Sequence, residues 1–139
     1  MRKFGILILA PLAIAATGSP TNPIEGRWYT EGDKAIVAIA PCGRLLCGTI
    51  TWAAPVPATG KSPQDIHNRN PALRTRPLVG VQILSGFKPS GARWTGGAIY
   101  NPTNGKTYSS ELALGSDGVL KVSGCVLVFC QTQNWKRAR

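Results

Sequence analysis

The chain has 139 residues, a net charge of +10 at pH 7 and only 6 acidic side chains. Its length suits a single domain. No run of five or more basic residues occurs, which together with the export signal described next argues against a nucleic-acid partner. The excess of positive charge favours small anionic ligands or anionic surfaces instead.

Arg2 and Lys3 open the chain, and Phe4 to Ala16 is apolar apart from Gly5 and Pro11. Ala13-Ile14-Ala15 and Ala16-Thr17-Gly18 are small-x-small cleavage patterns. The apolar run is shorter than the roughly 20 residues a spanning helix needs. Residues 1–18 therefore read as a signal peptide and residues 19–139 as the exported domain, periplasmic or secreted. Removing Arg2 and Lys3 lowers the charge from +10 to +8.

After a polar linker, Ser19 to Pro23, the chain reads as successive strands. Gly26 to Thr30 is the first. Glu31-Gly32-Asp33 turns into Lys34 to Ala40, with Ile36 and Ala38 on one side and Val37 and Ile39 on the other. Leu46 to Trp52 is the third, with Ile50 and Trp52 expected on one face. Ala53 to Pro77 has no strand period and holds five prolines. Such a length is far beyond the usual hairpin loop of about 2–5 residues. Within it Asn70 is expected to cap a helical turn that starts at Pro71.

Regular pattern resumes at Val79 to Phe87, and Lys88 to Gly91 is expected to turn the chain. Arg93 to Tyr100 and Lys106 to Leu114 then flank the turn cluster Asn101-Pro102-Thr103-Asn104-Gly105. Tyr108, Ser110, Leu112 and Leu114 alternate with Thr107, Ser109, Glu111 and Ala113, the period of a half-buried strand. Val119 to Gly124 and Gln131 to Arg137 complete the set. Eight strands joined mostly by short turns predict an all-β, antiparallel up-and-down barrel with one long loop, which closes its own edges. An open sandwich is the alternative.

Cys42, Cys47, Cys125 and Cys130 form two pairs with equal spacing. In a straight strand such residues stand about 16 Å apart, whereas the Cα atoms of a disulfide are usually about 4.4–6.8 Å apart. Of the three connectivities, the local pairs Cys42–Cys47 and Cys125–Cys130 are favoured, provided the chain reverses between the cysteines. Gly43-Arg44 supplies a turn in the first case. Val126 to Phe129 offers no turn residue in the second.

Gly26-x-Trp28 on the first strand and Arg137 shortly after Trp135 resemble the calycin, lipocalin-like barrels. That resemblance implies a floor closed by Trp28 with Arg137 stacked across it. A wider set of motifs resembles a bacterial exported family, domain-of-unknown-function family 2147. Its pieces here are Cys42-Gly43, Cys47-Gly48-x-Ile50-x-Trp52, Asp65-x-x-Asn68 and Arg74-x-Arg76-Pro77-Leu78. Further along stand Trp94-x-Gly96-Gly97-x-Ile99-Tyr100-x-Pro102 and Trp135-x-Arg137. The resemblance implies a lipocalin-like barrel in the bacterial envelope and supplies no reaction. Many members it resembles end on a glycine-rich hairpin, where this chain has Cys125 to Cys130.

Polar chemistry is densest in the long loop. His67 is the sole histidine, no nucleophile-elbow motif accompanies it, and paired cysteines are not free thiolates. No catalytic residue, metal or cofactor is therefore expected. Arg74 and Arg76 have the spacing to fork onto a carboxylate or phosphate. Asp65 offers them a structural partner instead. Asp65, Asn68, Arg74, Arg76, Trp52, Tyr100 and Tyr108 are the candidate ligand-binding residues. The expected ligand is a small hydrophobic or amphipathic acid inside the barrel, with the long loop as lid. The competing expectation is a filled barrel that touches envelope lipid or protein through its basic surface or its Val126–Phe129 tip.

Overall fold

The computed structural model describes residues 5–11 and 22–139, and the expected cleavage region between Ala16 and Ser19 lies outside them. Eight strands follow one another: β1 (Gly26–Tyr29), β2 (Ala35–Cys42), β3 (Leu45–Ala53), β4 (Gln82–Ser90), β5 (Arg93–Asn101), β6 (Lys106–Leu114), β7 (Leu120–Val126) and β8 (Phe129–Arg137). Each pairs antiparallel with the next, and β8 pairs with β1, closing an up-and-down barrel. The expected helical turn is a short 3-10 helix, Pro71–Leu73, whose cap Asn70 accepts a bond from the Ala72 N–H.

The period of two fixes which side chains fill the barrel. Leu112 stands opposite Val122, Leu114 opposite Leu120, and Val122 opposite Gln133. Trp28, Val37, Leu84, Phe87, Leu112, Leu120, Val122 and Trp135 are almost wholly withdrawn from solvent, and they form a packed floor half. Gly97 belongs to this layer. A Cβ there would lie 2.5 Å from the Phe87 ring, so only glycine lets the ring cross the interior. The Trp28 indole donates to the Ile24 carbonyl at 2.9 Å, which satisfies its one polar atom inside the floor.

Three local readings need correction. Ile50 and Trp52 do not share a face. The β2–β3 register shifts between Ile36 and Val37, pairing Ile36 with Trp52 but Val37 with Ile50. The inserted residue turns Trp52 outward, where it is 40% exposed and meets Tyr29 edge-on at 6.5 Å. Second, β4 begins at Gln82 rather than Val79 and runs to Ser90. Leu78 to Val81 instead turns, with the Val81 N–H bonded to the Leu78 carbonyl at 3.0 Å. Third, β7 and β8 run past their cysteines to Val126 and Phe129, leaving a two-residue turn.

Both local disulfides are present. The Cα atoms of Cys42 and Cys47 are 5.7 Å apart, and those of Cys125 and Cys130 are 4.1 Å apart. Cys125 and Cys130 are register partners across the β7–β8 hairpin. The chain reverses between them at Leu127, whose φ of +54° replaces the glycine or asparagine usual in such turns.

Candidate functional site

Two neighbourhoods collect the polar side chains. The first is built by the long β3–β4 connection. Asp65 is fully withdrawn from solvent, yet its carboxylate is well served. Tyr100 donates its hydroxyl to Oδ1 at 2.6 Å, and Asn68 and Arg76 donate to Oδ2 at 2.8 and 3.0 Å. A second Arg76 nitrogen approaches the same oxygen at 2.9 Å. Burial pushes the Asp65 carboxyl up, but the bonds from Tyr100, Asn68 and Arg76, with the Arg76 charge, outweigh it and hold its pKa below the ordinary value. Burial and the adjacent Asp65 carboxylate push the Tyr100 hydroxyl up to about 12.

This cluster stands outside the barrel. Gly124 faces inward beside Ile99 and Tyr108, so Tyr100, next to Ile99 on β5, faces outward. Ile83, Ser85, Ala98 and Thr107 share that outer wall with Tyr100. With Asn68, Arg69, Asn70 and Arg76 they border a hollow of about 430 Å³. The connection expected as a lid is thus a strap along the wall, also seated on the β5–β6 turn. A Cβ on Gly105 would collide with the His67 carbonyl. Arg74 donates its Nε to the Asn68 carbonyl at 2.8 Å. The structure therefore brings Asp65, Asn68, Arg74, Arg76 and Tyr100 together, and places Trp52 with Tyr29 elsewhere on the outside.

The second neighbourhood is the mouth of the barrel. The β1–β8 contact holds only two register pairs, Trp28 with Arg137 and Tyr29 with Lys136. Above them β8 runs free of β1, apart from the Asn134 N–H donating to Glu31 Oε1 at 3.2 Å. Gln131 and Gln133 are the inward positions of this stretch, opposite Gly124 and Val122, and both are exposed. Gln133 accepts from the buried Trp135 indole at 2.9 Å. Ser110 spends its hydroxyl on the Ser123 carbonyl. At the rim, Tyr108 and Val126 share a hollow of about 390 Å³ with Arg69 and Lys106. The inner wall thus grades from apolar at the floor to amide groups at Gln133 and Gln131, and the rim hollow beside Tyr108 and Val126 carries two cations.

Arg69, Lys106 and Gln131 were not singled out from sequence. Arg69 follows the Asp65-x-x-Asn68 motif directly, but nothing in its spacing told it from a solvated loop cation.

The profile of a family described as an uncharacterised protein conserved in bacteria, DUF2147, matches residues 26–137. The chain belongs to this family. DUF2147 thus covers the whole barrel, from the first residue of β1 to the last of β8. A solved structure of protein HP1028 from the human pathogen Helicobacter pylori, described as belonging to the lipocalin family, is similar at 26% identity. The similarity covers 83% of this chain and 82% of that one, with a TM-score of 0.70. No curated protein matches the chain. This DUF2147 member is therefore a lipocalin-like barrel, a fold suited to holding a small ligand.

Proposed function

We propose that this DUF2147 protein is an exported, non-enzymatic binding protein for a small amphipathic acid such as a fatty acid. The observation that carries the reading is the solvent-facing pair Gln131 and Gln133 on the inner wall, above a floor of buried apolar residues. Side chains on an inner wall that still meet water leave room for a guest. The apolar floor suits its tail, and Arg69 and Lys106 at the rim suit its carboxylate.

In this reading Tyr108 lines the passage. Asp65, Asn68, Arg74, Arg76 and Tyr100 brace the wall on which Arg69 stands, and Trp52 keeps its outer position. The head group is assigned to Arg69 and Lys106, because Arg76 already serves Asp65 and the Arg74 Nε serves a loop carbonyl. Two disulfides and the apolar leader support an oxidising, extracytoplasmic address.

Titrating the mature protein with dodecanoate tests this, with tryptophan emission as the readout because Trp135 bonds Gln133. A saturable change is expected, and Arg69→Ala with Lys106→Ala should weaken it. One charge-assisted bond is worth roughly 1.5–3 kcal/mol, or about 10–150-fold. No saturable change in the parent protein would contradict the reading.

A further inference from the structure

The β7–β8 hairpin ends in Val126-Leu127-Val128-Phe129, four apolar side chains that are 55%, 91%, 86% and 78% exposed. Single exposed apolar residues are ordinary, but a contiguous group at a projecting tip marks a contact surface. Two further features show that the tip is both apolar and held in shape. Leu127 occupies a backbone position at φ +54°, where glycine or asparagine would be less strained. The Cys125–Cys130 disulfide sits directly behind the turn, with Cα atoms 4.1 Å apart, and holds the hairpin closed despite that residue.

The surroundings of the tip identify what it meets. Val126 shares the rim hollow with Arg69 and Lys106, and both cations are exposed. In an up-and-down barrel the β1–β2, β3–β4, β5–β6 and β7–β8 connections lie at one end, so the strap and the tip project together. The acidic side chains of that end are Asp65, which is buried and paired, and Glu31 and Asp33 on the β1–β2 turn; Glu31 accepts the Asn134 N–H. An apolar prong beside cations fits an interface where hydrocarbon lies just below negative head groups.

We propose that the Val126–Phe129 tip is a membrane-docking prong, which inserts into the head-group region of an anionic lipid bilayer while Arg69 and Lys106 meet the lipid phosphates. The barrel mouth then opens toward the lipid surface. The docking shares Arg69 and Lys106 with the proposed carboxylate site, so the variant of the tip, which leaves both cations in place, separates the two.

Flotation of the mature protein with vesicles tests it, comparing phosphatidylglycerol mixed into phosphatidylcholine against phosphatidylcholine alone. The parent is expected to float with the anionic vesicles, less so as salt rises. The double variant Leu127→Asn, Phe129→Ser should lose roughly tenfold or more in partitioning. Asparagine accepts the positive φ at Leu127, so this variant keeps its turn, and an unchanged thermal midpoint verifies that it folds. Arg69→Ala with Lys106→Ala should weaken binding and flatten its salt dependence. The proposal is overturned if the parent ignores anionic vesicles, or if the tip variant binds them as well as the parent. A tip-dependent complex with an envelope protein, without vesicle binding, overturns it too.

Discussion

The guanidinium carbon of Arg137 stands 4.1 Å from the ring centroid of Trp28, at the point where the last strand closes onto the first. The same guanidinium donates to the carbonyls of Glu25 at 2.8 Å and Pro23 at 2.9 Å. One side chain therefore caps the floor and ties down the segment entering β1. Removing it costs the stacking and leaves those carbonyls to water. Arg137→Ala should lower stability by about 1–2 kcal/mol, read from the denaturant midpoint. An unchanged midpoint would mean that the backbone bonds of the seam, the two β1–β8 pairs and the Ala138 N–H to the Arg27 carbonyl, hold it without the side chain.

The Asp65 cluster makes stability depend on pH in two windows. Its carboxyl has a folded pKa below the ordinary value, so its contribution is full above the unfolded pKa. That contribution is lost as pH falls through the lower, folded value. Tyr100 has the opposite sense. Its hydroxyl, raised to about 12, contributes fully below its ordinary pKa and loses that contribution as pH rises toward the folded value. Asp65→Asn should cost about 2–3 kcal/mol at neutral pH and flatten the acid limb of a midpoint-against-pH curve. An unaltered acid limb would place the titration elsewhere.

Gly105 joins the strap to the barrel. Its φ of +71° and the His67 carbonyl above it leave no room for a side chain. Gly105→Ala should cost about 2–4 kcal/mol and lift the strap. Limited proteolysis should then cut within residues 54–77 well before the barrel unfolds. Equal resistance in parent and variant would show that the Asp65 bonds suffice to seat it.

Much of this architecture is legible in the sequence because a half-buried strand writes its period directly. Leu112 and Val122 alternate with Glu111 and Lys121, and those faces stand in the barrel as read. Asn70-Pro71 likewise carries its own cap chemistry. The face of Trp52 was not legible, because a single inserted residue reverses every side chain beyond it and leaves no compositional mark. Nor was the Val126–Phe129 turn, since Leu127 adopts a glycine-like conformation under a disulfide. The loop's share of the polar cluster was legible in Asp65, Asn68 and Arg76, but the bond that Tyr100 makes to Asp65 from β5 was not. The cluster's position on the outer wall depends on the inward facing of Ile99, which follows from a bulge between Trp94 and Gly97.

Each disulfide closes a short loop, so chain entropy assigns it only about 2 kcal/mol. Reduction should leave the barrel folded with a lowered midpoint. The loss should be concentrated in β7–β8, because its turn lacks a residue that favours the reversal. Amide exchange before and after reduction would read this, with faster exchange at Val126 to Phe129 expected. A uniform change along the chain would count against a hairpin held by Cys125–Cys130.

The proposed guest is a small acid held against the inner wall at Gln131 and Gln133, above the apolar floor. Native mass spectrometry of the protein purified from its own host measures this. The expected result is the chain mass plus one retained amphipathic acid, displaced by added dodecanoate and retained poorly by the Arg69→Ala, Lys106→Ala variant. The bare chain mass alone, with no adduct when dodecanoate is supplied, would contradict it.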